Sequence, residues 1–121
     1  MKIRYISLLL FFNCTYVYSE AFSPEEIESQ ASHYRMLAIE CITDKKIMKK
    51  ETLAIESCRA FKGFIKSKYP ILKTSLESAQ RQVKVVANTE GLESKNVRET
   101  LVLLMSARSH MQIAGEISTK I

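Results

Sequence analysis

The sequence predicts an all-α domain, an up-down four-helix bundle closed by one disulfide. Three observations lead there. The 121 residues contain only three glycines and two prolines. The apolar residues recur at helical spacing and never alternate as a half-buried strand would. Three cysteines are present, and Cys14 falls in an apparent leader, leaving Cys41 and Cys58 as a pair.

The leader comes first. Lys2 and Arg4 form a positive start, and Ile6 to Phe12, interrupted only by Ser7, form a short apolar run. Val17-Tyr18-Ser19 suits a signal-peptidase site, so cleavage is expected after Ser19, with Ala21 as a second choice. A membrane anchor would need about 20 apolar residues, and Asn13 and Thr15 stop the run short of that. Lipid attachment at Cys14 is disfavoured because Asn13 stands where a small residue is wanted. The expected layout is a signal peptide over 1–19 and a single helical domain over 20–121. The expected location is periplasmic or secreted, free of the membrane after cleavage. An even cysteine count in such a compartment reads as a disulfide between Cys41 and Cys58.

Ser23-Pro24-Glu25-Glu26 starts helix A, with Ser23 as cap, Pro24 in the first turn and Glu26 closing a capping box. The helix is expected to reach about Ile42, with Ile27, Ala31, Tyr34, Leu37, Ala38 and Cys41 on one face and Met36 and Ile39 on the other. Helix B is expected over 51–69, with Leu53, Ala54, Cys58, Phe61, Phe64, Ile65 and Tyr69 inward and Pro70 ending it. Helix C is expected over 71–87, burying Leu72, Leu76, Ala79, Val83 and Val86. The stretch Asn88-Thr89-Glu90-Gly91 breaks the chain. Helix D is expected from about Ser94 to Ser118, with Val97, Leu101, Leu104, Ala107 and Met111 inward. A second apolar stripe on helix D, Val102, Ile113 and Ile117, with Ser106 and His110 between its members, predicts self-association or a partner contact.

The disulfide locates the first turn. Cysteine α-carbons must lie within about 7 Å, and two antiparallel helices pair residues about a midpoint, here Lys49–Lys50. The A–B tip is therefore expected near residues 45–50. Without the leader, 16 basic residues face 13 acidic ones, a small excess that argues against nucleic acid. The distribution is uneven. Residues 20–44 carry a net charge of −5 and residues 45–73 a net charge of +7. The tip itself, Lys45-Lys46-Ile47-Met48-Lys49-Lys50, reads either as a solvated turn whose lysines suit the end of helix A or as a partner-binding element whose lysines steer an acidic partner.

Catalytic chemistry is not expected. Asp44 is the only aspartate, and His33 and His110 are the only histidines. No nucleophile–base pattern, phosphate loop or zinc set appears. No cofactor, metal or small-molecule substrate is anticipated.

Leu37-Ala38-Ile39-Glu40-Cys41, followed by Cys58 and Gly63-Phe64-Ile65 behind a signal peptide, resembles the small periplasmic immunity proteins that neutralise type VI secretion amidase effectors. That resemblance implies a helical, disulfide-bonded and often dimeric protein that blocks the active-site cleft of a peptidoglycan-cleaving toxin. It assigns no individual inhibitory residue. Two other classes fit the composition: a periplasmic chaperone or secretion accessory, and a small module that binds anionic surfaces.

Overall fold

The computed structural model describes residues 21–121, so the expected signal peptide and its cleavage site lie outside the described residues. Four helices follow: α1 (Pro24–Met48), α2 (Glu56–Ser67), α3 (Tyr69–Glu90) and α4 (Lys95–Ser118), with one 3-10 turn (Thr52–Ala54) before α2. No strand occurs among the described residues. The domain is an all-α helical bundle, and Cys41 and Cys58 are joined, their α-carbons 4.4 Å apart.

α1 begins as its first residues dictate. The Ser23 hydroxyl accepts from the Glu26 N–H at 3.3 Å, and the Glu26 carboxylate accepts from the Ser23 N–H at 3.4 Å. The helix runs past the expected end at Ile42 to Met48. Nothing between them breaks a helix, and Lys45 and Lys46 suit the negative end of its dipole. Lys49 ends it in the left-handed region at φ 53°, donating its N–H to the Lys45 carbonyl.

The start of helix B is corrected. Residues 52–54 form a 3-10 turn, and Ile55 follows in an extended conformation, 1% exposed. A β-branched residue favours that backbone, and it delivers Ile55 to the core. Leu53, expected inward, is 70% exposed, and Ala54 is exposed too.

Contacts between elements trace the path of the chain. Cys58 lies against Cys41, Phe64 against Tyr34, and Ser75 against Phe22. Thus α2 and α3 run one after the other in the same direction, antiparallel to α1. Only Lys68 separates them, and its backbone stays right-handed helical. Pro70 sits in the first turn of α3, where its missing N–H costs little, so it interrupts the helix without reversing the chain. The reversal comes at Gly91, whose φ of 89° suits glycine. α4 returns beside α1, pairing Ser106 with Glu28, His110 with Arg35, and Ile121 with Lys45. α4 is consequently parallel to α1, whereas strict up-down alternation would make it antiparallel.

The core is one cluster. α1 contributes Ile27, Ala31, Tyr34, Ala38 and Cys41, all buried. Tyr34 stacks on Phe61 and Phe64, with ring centres 5.7 and 5.2 Å away, and lies 5.4 Å from Tyr69. These aromatics bridge the α2–α3 joint. Burial pushes the Tyr34 phenol up from its ordinary pKa, and nearby Tyr69 adds to the effect. Val83 is buried, but Val86, expected inward, is 39% exposed. It sits beside Pro24, at the end of the bundle where α1 begins and its cover runs out.

Candidate functional site

The tip is where exposed apolar surface and positive charge coincide. The last turn of α1 holds Lys45, Lys46, Ile47 and Met48, so these residues are helical and the reversal itself starts at Lys49. Ile47 is 73% and Met48 51% exposed, and Leu53 joins them from the 3-10 turn. Lys46, Lys49 and Lys50 are exposed around them. Among the described residues none of these three lysines is in an ion pair; the only such pairs are Lys95–Glu99 and His110–Glu28.

Lys45 behaves differently. It is half-buried, and its ammonium donates to Thr52 Oγ1 at 3.0 Å and to the Ile121 main-chain oxygen at 2.8 Å. It fastens the 3-10 turn and the end of α4 to α1, and so belongs to the scaffold of the tip and not to its free charge. Ser57 adds a second tie, donating to Asp44 Oδ2 at 2.6 Å. With the Cys41–Cys58 bond, three fastenings hold the tip in a fixed shape.

The expected association stripe on α4 does not form one free face. Val102 is 66% exposed, Ile113 is half-buried, and Ile117 packs against the core. An ideal helix precesses by about 20° per heptad relative to a 3–4 spaced seam. Over the length of α4 the buried face therefore rotates from Val97 and Leu104 to Ala114 and Ile117. Met105, 69% exposed, is the neighbour left with Val102.

A polar cluster crosses the α1–α4 seam. Ser106 Oγ donates to Glu28 Oε1 at 3.0 Å, and His110 Nε2 lies 3.3 Å from the same oxygen. Arg35 Nη1 is 3.3 Å from His110 Nδ1. Guanidinium nitrogens can only donate, so Nδ1 accepts and Nε2 carries the proton toward Glu28. A hydrolytic triad needs the carboxylate and the hydroxyl on opposite imidazole nitrogens. Here both meet Nε2, which is 3.4 Å from Ser106 Oγ, and the serine proton points to the carboxylate. The arrangement fits a polar lock between helices. Ser106 and His110 stand four residues apart in sequence, but nothing there shows that Glu28 and Arg35 meet them.

His33 is exposed, its ring centre 5.7 Å from that of Phe64 in an edge-type arrangement. Among the described residues no three potential metal ligands cluster, and no helix is long and apolar enough to cross a membrane. Comparison with protein families, characterised proteins and solved structures finds no match to this chain.

Proposed function

We propose that this chain is an exported, non-catalytic protein-binding domain that presents the tip between α1 and α2 to an acidic partner. The observation that carries the reading is the exposure of Ile47, Met48 and Leu53 among three unpaired lysines on a fastened turn. Apolar side chains placed in water cost free energy that a partner can recover. A pre-ordered element also loses less entropy on binding than a free loop. The disulfide suits an oxidising compartment, which supports export. The Glu28–Ser106–His110 geometry supports a non-catalytic role.

Within this reading, the sequence resemblance favours a periplasmic immunity protein, with the tip entering the cleft of a peptidoglycan amidase toxin. The test is co-expression with such an amidase in the periplasm, read as cell survival, and binding kinetics on the purified pair at two salt concentrations. Changing Lys46, Lys49 and Lys50 to glutamate should slow association about ten-fold at low salt and far less at high salt. Ile47→Ser with Met48→Ser should act on dissociation. If both variants protect cells and bind like the original chain, the tip is not the binding element.

A further inference from the structure

We propose that the docking surface continues from the tip along the outward ridge of α2, and that it fits an elongated acidic protein surface with an apolar centre. This extension rests on the tip reading above. α2 buries Cys58, Phe61 and Phe64. At 100° per residue, Arg59, Lys62 and Lys66 fall within about 60° of one another along one flank of that buried face, and all three are exposed. The ridge connects directly to the tip, because Arg59 Nη1 donates to the Leu53 carbonyl at 2.9 Å. From Arg59 to Lys66 it adds about 10 Å of helix.

Charge on this flank is predominantly positive, with Glu56 at its start as the acid of α2. Among the described residues, none of Arg59, Lys62 and Lys66 has a carboxylate in ion-pair range. Glu51 and Glu56 are the acids of residues 45–73, against nine basic residues. Evenly spaced cations on a rigid helix next to an apolar knob match a partner whose carboxylates line a groove beside a hydrophobic pocket. Complementary fields of this kind raise encounter rate and fix orientation, while the knob supplies the anchor.

The experiment is a titration of the 15N-labelled protein with a glutamate-rich peptide carrying a central pair of leucines. A lysine-rich peptide of the same length and phosphatidylglycerol–phosphatidylcholine vesicles serve as comparisons. The glutamate peptide should shift amides at Leu53, Arg59, Lys62 and Lys66 as well as at Lys46–Lys50. The triple change Arg59→Glu, Lys62→Glu and Lys66→Glu should weaken its binding about ten-fold at low salt, with circular dichroism unchanged because all three side chains are exposed. Lys62→Ala with Lys66→Ala should give a smaller loss in the same direction. Shifts confined to the tip, with the triple variant binding normally, would overturn the ridge and leave the tip reading standing. Equal binding of the lysine peptide, or no shift anywhere, would overturn both. Tighter binding to the vesicles than to the acidic peptide would overturn the protein partner in favour of a membrane.

Discussion

Reducing the Cys41–Cys58 bond should destabilise the bundle by about 3 kcal/mol. The bond spans 17 residues of sequence. In the chain-entropy description, opening a loop of this size returns roughly 11 cal/mol/K to the unfolded ensemble, or about 3 kcal/mol at room temperature. Both sulfurs are fully buried, so reduction alone leaves the core filled. The paired replacement Cys41→Ala and Cys58→Ala adds the loss of buried sulfur and should cost more. For a domain near 100 residues each kcal/mol moves Tm by about 4–8 °C. The assay is urea unfolding with and without reductant, with intact mass confirming the redox state. The midpoint should fall, and the denaturant slope should rise because the reduced unfolded chain exposes more surface. Equal midpoints for oxidised and reduced protein would refute the reasoning. They would mean that Ile55, Phe61 and the Lys45 tie confine this loop even when the rest of the chain is unfolded.

Phe61→Ala removes the largest fully buried side chain and its stack on Tyr34; it should cost about 3–5 kcal/mol in chemical denaturation. The raised Tyr34 pKa has a definite sign. The folded state holds its phenol proton above the pH at which the unfolded chain releases it, near 10. Stability should therefore fall as pH climbs through and above that value, and Tyr34→Phe should flatten the decline in pH-dependent melting. Long-range 15N correlation spectra should show His110 protonated at Nε2 in the neutral form, and the double change Arg35→Ala with Glu28→Ala should weaken that preference by removing the groups at both ring nitrogens.

Which side chains are buried was legible in the sequence wherever helices were long and capped. Ser23 to Glu26 announced α1, Ser94 and Gly91 bracketed the last turn, and the 3–4 spacing of Ile27, Ala31, Tyr34 and Ala38 named its buried face. The cysteine midpoint placed the tip to within a few residues, because antiparallel pairing is symmetric about a turn, but Lys45 to Met48 close α1 and the reversal follows them. What stayed hidden depended on contacts between distant segments. Continued as one helix, Leu53 would project within about 20° of Phe64 and read as the same face, and only the extended backbone at Ile55 turns it outward. Lys45 looks like its three neighbours until Thr52 and Ile121 reach it. The loss of Ile117 from the outer stripe of α4 follows from gradual rotation of a packed seam, which a flat helical projection does not contain. Pro70 signalled a break correctly, yet a proline in a first turn is compatible with either a reversal or a bend.

That bend decides how the protein can be handled. Because Lys68 keeps the chain moving one way, the end of α4 returns to the same pole of the molecule as the tip, as the contact between Lys45 and Ile121 shows. The first turn of α1 stands at the opposite pole, about 37 Å away along a 25-residue helix. An affinity handle or fluorophore joined after Ile121 would crowd Ile47 and Met48 and mimic a binding defect. Immobilisation ahead of Ser23 would leave the tip facing solution, so attachment geometry alone separates a weak ligand from an obstructed one.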